Sequence, residues 1–324
     1  MQRRIFSAGI AYSLGSVANS AALLLLIPVL VHLLSQAEYG IWAIYEIAIL
    51  VLGMFAMLGM DVGLMREYWA TDDEQERRRL AGTVVLSVAL WSLVLVGLLA
   101  ATATLVAPVV CGAELLCPLR TDWLIPALLI IPIETLFNLL LSILRIRERA
   151  ASFAGLSFLR LCLFMAGASA GLLLGYGLAG ALLGRLLGSA LSLLAAMWTV
   201  RSYLYLRFEK QGLRRVVTYG LPILPAAAAA YVLLASDRYI MQGLISLEAV
   251  AIYTFAYKLA TGLDVLVNRP FSLDWAPRRF AIGAGPEPGP KFAEALVIYL
   301  FLAGAVGLLI IAGAPFAFDL IAPP

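Results

Sequence analysis

A chain of 324 residues that is 63% hydrophobic and 13% charged, with a mean hydropathy of +0.96, lacks the charge of a soluble domain, where about 25% of residues are charged. Its 23 Lys and Arg against 20 Asp and Glu leave a net charge of +3 that points to no nucleic-acid partner, because the basic residues are distributed by membrane topology. The fold class that fits is all-α: a polytopic helix bundle in the lipid bilayer.

Nine apolar runs are long enough to cross about 30 Å of hydrocarbon. They cover residues 7–34, 40–63, 80–109, 123–144, 152–175, 178–200, 219–240, 249–271 and 292–318. The first follows Met-Gln-Arg-Arg without a small-residue cleavage site, so it reads as a span and not a removable signal. With a cytoplasmic N-terminus, seventeen Lys and Arg fall in cytoplasmic segments, Arg120 alone lies outside and five sit within spans, which accounts for all 23. That bias sets the orientation of every span.

His32, the single histidine, lies near the outer end of span one, whose Tyr12, Ser16 and Asn19 form a polar stripe. The charged run from Glu67 to Arg79 reads as a solvated loop or short surface helix. Cys111 and Cys117 share an outside loop and are read as free thiols with a bridge as the alternative, while Cys162 is expected to pack in mid-helix. Span four carries Glu134, Asn138, Ser142 and Arg145 on one face. In spans five and six, Gly167, Gly171, Gly175, Gly180, Gly184 and Gly188 mark close helix packing. The basic connector from Arg201 to Thr218 is expected to act as a hinge between a first six-helix lobe, 1–208, and the start of a second, 209–324. Pro222 and Pro225 then provide a bending point, and Gly283 to Pro290 a turn-like break. A faint repeat at an offset of 211 residues relates Leu34-Ser-Gln-Ala-Glu to Ile245-Ser-Leu-Glu-Ala, each followed by Ile and an aromatic residue. The six intervening spans would make it a parallel repeat.

Five cations, Arg160, Arg185, Arg238, Lys258 and Arg269, and five acids, Glu46, Asp61, Glu134, Asp237 and Asp264, fall inside the spans. Each central charge costs roughly 2.5 to 3.5 kcal/mol, so the set needs either buried ion pairs or a wet cavity, and the cavity is the less costly arrangement. At 1.5 Å per residue Arg160 and Lys258 lie near the midplane, about 12 and 14 Å into their helices, with Arg185 about 10 Å from the outer edge. Arg238 and Arg269 lie near helix ends, where snorkelling to the interface is expected. No P-loop, nucleophile elbow, zinc-protease motif or metal-ligand spacing is present, so no catalytic residue, metal site or cofactor is expected, and the chain is not read as an enzyme.

The residues Tyr219-Gly-Leu-Pro-Ile-Leu-Pro, Ser236-Asp-Arg-Tyr-Ile, Ala251-Ile-Tyr-Thr-Phe-Ala-Tyr-Lys258-Leu-Ala and Trp275-Ala-Pro resemble the polysaccharide-export branch of the multidrug/oligosaccharidyl-lipid/polysaccharide exporter superfamily. Glu38-Tyr-Gly-Ile-Trp and Gly59-Met-Asp-Val-Gly-Leu-Met-Arg66-Glu-Tyr agree, so the resemblance spans most of the chain. It implies two six-helix lobes around a central cavity, usually with two more helices. It also implies Wzx-type flipping of an undecaprenyl-pyrophosphate-linked oligosaccharide across the bacterial cytoplasmic membrane by alternating access. Such transport serves cell-surface polysaccharide biosynthesis (lipopolysaccharide O-antigen or exopolysaccharide), with glycosyltransferases and a polymerase as possible partners. Arg160, Arg185 and Lys258 are then expected to bind the anionic head group, and Glu46, Glu134 and Asp264 to couple an ion. Against the family's two lobes only three helices of the second are present, which reads as an incomplete frame. The alternative function is a cation-coupled drug exporter of the same superfamily. A membrane-embedded glycan polymerase or glycosyltransferase ranks lower, because no extramembrane loop exceeds about 25 residues and such enzymes use large loops.

Overall fold

The computed structural model describes residues 29–110, 121–268, 271 and 288–321. Most of the first predicted span, its polar stripe, Arg269, Cys111, Cys117 and Trp275 lie outside the described residues. The described chain is built from helices: α1 (Gln36–Met57), α2 (Met60–Tyr68), α3 (Glu74–Val110), α4 (Thr121–Ile146), α5 (Ala150–Leu173), α6 (Gly177–Val200), α7 (Lys210–Gly220), α8 (Leu224–Leu244), α9 (Leu247–Leu263) and α10 (Pro288–Ile321). Short 3-10 turns, Arg201–Tyr203 and Leu221–Ile223, precede α7 and α8, and a π-turn, Asp264–Asn268, follows α9.

Among the described residues, seven helices are long and apolar enough to cross a membrane, and they match seven of the nine predicted spans. The predicted span at 219–240 is the 21-residue helix α8, made less apolar by Ser236, Asp237 and Arg238. In hydrocarbon each backbone N–H and C=O must be satisfied within its own helix, which is why these apolar runs become helices. Their ends are set locally. Ser35 begins α1 with a capping box: its Oγ accepts from the Glu38 N–H at 3.2 Å, and the Ser35 N–H donates to the Glu38 carboxylate at 3.0 Å. At the offset of 211 residues Ser246 caps α9, accepting from the Ala249 N–H at 3.2 Å.

The predicted second span does not run through to residue 63. Leu58 and Gly59 both turn left-handed, with φ of 50° and 67°, ending α1 and starting α2 in a new direction. Gly175, expected at a helix contact, instead terminates α5: at φ 82° it closes a Schellman turn, with Tyr176 N–H on the Gly171 carbonyl and Gly175 N–H on that of Leu172. The other glycines of this pair of helices do interlock. A Cβ at Gly184 would lie 2.0 Å from the Gly167 carbonyl oxygen, and one at Gly171 would lie 2.1 Å from that of Gly180, so α5 and α6 touch backbone to backbone.

Two large apolar clusters stack along the bundle, beside a small one of Ala43, Ile44 and Val250. One, at the end bearing Ser35 and Ser246, joins Leu34, Trp42, Ile130, Phe164, Leu178 and Phe255, with Trp42 and Phe164 stacked at 6.3 Å. The other, toward the arginine-rich end, joins Leu64, Val84, Phe137, Leu140, Ile143 and Val216. That end is tied together by more than apolar contact. The Glu67 to Arg79 run, expected to be solvated, is cross-linked: Arg77 Nε donates to the carbonyls of Tyr68 and Thr71, Glu74 pairs with Arg147, and Arg215 bridges Glu67 at 3.2 Å and Glu76 at 3.3 Å. The connector expected to be a hinge is docked along α3. Tyr205 N–H donates to the Arg78 carbonyl at 3.0 Å, and the Thr83 hydroxyl joins the Arg207 carbonyl to the Glu209 N–H. Cys162 is exposed on α5 and not packed as expected, and His32 is exposed.

Candidate functional site

Between the two apolar clusters lies a cavity of about 940 Å³ whose lining comes from α1, α2, α4, α5, α6, α8 and α9. It reaches Gly59, Asp61 and Ile223 toward the arginine-rich end. Toward the other end it stops at Ala43, Ile131 and Phe164, against the Trp42 cluster. All six residues singled out from the sequence line it: Arg160, Arg185, Lys258, Glu46, Glu134 and Asp264. Arg238 and Asp61 complete a set of four cations and four carboxylates, so the wall is formally neutral.

The helices place these groups by simple periodicity. Glu134 and Asn138 are one turn apart on α4, and Arg185 and Ser189 one turn apart on α6, so the two polar faces meet. Arg185 grips Glu134 through two hydrogen bonds, Nε to Oε1 at 2.9 Å and Nη2 to Oε2 at 3.0 Å, and Ser189 Oγ adds a third at 3.2 Å. The fork geometry of guanidinium on carboxylate makes this the strongest class of side-chain hydrogen bond. The Arg185 guanidinium also lies 5.4 Å from the Phe164 ring and 5.8 Å from Trp42. Lys258 Nζ donates to Glu46 Oε2 at 2.9 Å, joining α9 to α1 across 212 residues of sequence. Two of the residues expected to bind substrate, Arg185 and Lys258, are therefore paired with two of those expected to couple an ion, Glu134 and Glu46.

Arg160 differs. It is half-buried, its Nη1 reaches Asn138 Oδ1 only at 3.5 Å, and its guanidinium stands 5.0 Å over the Phe137 ring. Among the described residues it has no carboxylate within salt-bridge distance. Nearby, the hydroxyl of Thr135, a residue 3% exposed, has no hydrogen-bond partner among the described residues.

Arg238 overturns an expectation. It is 5% exposed and does not snorkel outward: Nε donates to Thr254 Oγ1 at 3.3 Å, Nη1 lies 3.6 Å from Asp237 Oδ1, and the guanidinium covers the Tyr257 ring at 4.4 Å. Asp237 in turn accepts from the Tyr253 hydroxyl. Distance from a helix end says nothing about which face an arginine occupies, and α9 supplies its partners here. Ser189 and Tyr257 also escaped the sequence reading, although each had a signal: Ser189 follows Arg185 by four residues, and Tyr257 adjoins Lys258. Among the described residues no group of three His, Cys, Asp or Glu could hold a metal ion.

The described fold is similar to that of several transporters. One is the MATE multidrug transporter DinF-BH, solved as a ligand complex, with a TM-score of 0.69 at 15% identity over 97% of this chain and 72% of that one. A MOP superfamily transporter from Pyrococcus furiosus, described by a binding pocket of reverse polarity that suggests a different function, gives 0.61 at 16% identity over 99% and 72%. A MATE in complex with Br-NRF gives 0.59 at 18% identity over 97% and 76%. No curated protein matches the sequence. The model of the polysaccharide biosynthesis protein family matches residues 6–281. With most of its length matched, the chain belongs to the polysaccharide biosynthesis protein family.

Proposed function

We propose that the protein moves a polyprenyl-pyrophosphate-linked oligosaccharide across the bacterial cytoplasmic membrane, with its N-terminus and arginine-rich end in the cytoplasm. The observation that carries this reading is Arg160: a guanidinium facing a cavity of about 940 Å³, with a long contact to Asn138 and no paired carboxylate among the described residues. A half-buried cation whose neighbouring carboxylate, Glu134, is already bound by Arg185 is costly, and the phosphate oxygens of a lipid head group would complete it by forked hydrogen bonds. The ion pairs extend the site. A second phosphate can compete with Glu46 for Lys258, and with Glu134 for Arg185, so that the released carboxylates register occupancy. The volume lies in the range of pockets that enclose compact ligands, about 300 to 1,000 Å³, and suits a head group while the polyprenyl tail stays in lipid.

The cavity extends toward the arginine-rich end and is stopped at the other by the Trp42 cluster, which supports an alternating-access cycle loaded from the cytoplasm. The test is surface glycan export in cells whose exporter is replaced by the R160A/K258A variant. Export is expected to fall to background while the variant remains in the membrane. Unchanged export would remove the cationic role. A second reading, cation-coupled drug export, is favoured by the four cavity carboxylates, Glu46, Asp61, Glu134 and Asp264. It predicts drug accumulation on loss of the gene, with Glu46→Gln more damaging than Arg160→Gln.

A further inference from the structure

A second, smaller hollow of about 300 Å³ lies outside the cavity, on the arginine-rich face where α2 meets α7, and is lined by Arg66, Glu67, Arg214, Arg215, Thr218 and Tyr219. The crossing that creates it is tight. A Cβ at Gly63 would stand 2.3 Å from the Val216 carbonyl oxygen, and one at Gly59 would stand 2.4 Å from that of Gly220. The charges around it are not balanced. Arg215 is held by Glu67 and Glu76, but Arg66 and Arg214 have no carboxylate within salt-bridge distance among the described residues. Arg66 instead lies over the Tyr219 ring at 4.3 Å, which presents its remaining N–H donors to the hollow.

Depth identifies the ligand. Arginines stacked on exposed aromatic rings cluster at this end of the bundle: Arg201 lies 3.4 Å from the Trp198 ring and Arg77 lies 5.4 Å from Trp69. Such a belt marks the level of lipid head groups. From the hollow toward the spans, Met65 and Leu221, neither of which lines the cavity, form an apolar strip and expose 41% and 46% of their surfaces. A free phosphate ion would use the arginines and leave this apolar strip bare, whereas a phospholipid uses both.

We propose that the α2/α7 hollow binds the phosphodiester of an anionic phospholipid from the surrounding bilayer, with its acyl chains along Met65 and Leu221. The lipid bridges the helix that follows α1 to the helix that leads into α8, so it clamps the seam beside the arginine-side end of the cavity.

The experiment is native mass spectrometry of the full chain released from vesicles of phosphatidylcholine and phosphatidylglycerol in equal amounts. Wild type is expected to retain phosphatidylglycerol preferentially. The R66Q/R214Q variant is expected to lose that preference by about thirtyfold, the factor that two arginines at the membrane surface supply against an anionic lipid. K210Q, which removes another exposed cation of α7 outside the hollow, should retain it, and R66K/R214K should recover part of it. Equal retention by wild type and R66Q/R214Q would overturn the proposal. So would equal loss in K210Q, which would signal only diffuse attraction, or complete displacement by millimolar inorganic phosphate, which would signal a phosphate-ion site.

Discussion

The two ion pairs of the cavity look alike in chemistry and differ in setting. Glu134 and Arg185 join α4 to α6 within a block where α5 and α6 touch at their glycines, and Ser189 completes the carboxylate. Glu46 and Lys258 join α1 to α9 by one hydrogen bond, at the contact between the early helices and the later ones. On the early side, 72% of the apolar stretch of Trp123–Ile146 is buried; on the later side, none of that of Gly289–Phe316 is. A pair inside a rigid block holds shape, whereas a pair across a contact between blocks can open when one block moves. On the proposed alternating-access cycle the first pair is a strut and the second a latch.

This difference can be broken deliberately. The largest effect is expected at the glycine interlock: Gly184→Leu would drive a side chain into the Gly167 carbonyl and separate α5 from α6, a cost above about 4 kcal/mol that should abolish recovery of folded protein on size-exclusion chromatography. Next comes Glu134→Ala, which strands Arg185 and should destabilise the protein by about 3 kcal/mol in denaturant unfolding. The double variant E134L/R185L should recover most of that loss, because no orphan charge remains. Lys258→Ala should cost about 1.5 kcal/mol, the value of one charged hydrogen bond, and should change the accessibility of cysteines placed along α1 more than its stability effect suggests. If Lys258→Ala and Glu134→Ala prove equally destabilising, the distinction between strut and latch fails. Smallest is Arg215→Ala at the half-exposed surface network, below about 1 kcal/mol in the same assay.

Much of the fold was legible because membrane helices are specified locally. Apolar run length predicts spans, and α3, α4, α5 and α6 stand close to where length and hydropathy place them. Ser35 and Ser246 announce their helices by capping chemistry that needs only a few neighbouring residues. Six of the eight charges that line the cavity were legible as well, since an intramembrane charge requires an interior face. What escaped is rotation and long-range pairing. Arg238 was misplaced because its partners, Thr254 and Tyr257, lie on another helix. Nothing local to Glu46 points to Lys258, 212 residues away. The break at Leu58 and Gly59 was missed because a single glycine inside an apolar run is tolerated in a continuous span, and the leucine before it carries no turn signal of its own. The docking of the Arg201 to Thr218 connector depends on backbone groups, such as the Tyr205 N–H, that any sequence supplies.

The central claim is that the cavity recognises an anionic lipid-linked head group through Arg160, a cation with no described carboxylate within salt-bridge distance. It is tested most directly by equilibrium binding of a polyprenyl-pyrophosphate-linked sugar to the purified full chain in nanodiscs, beside the uncharged polyprenyl glycoside. Wild type should prefer the pyrophosphate, and Arg160→Gln should lose roughly tenfold or more of that preference, as expected for one charge-assisted hydrogen bond worth about 1.5 kcal/mol. Equal affinity for the charged and uncharged lipids, or a preference untouched by Arg160→Gln, would contradict the account.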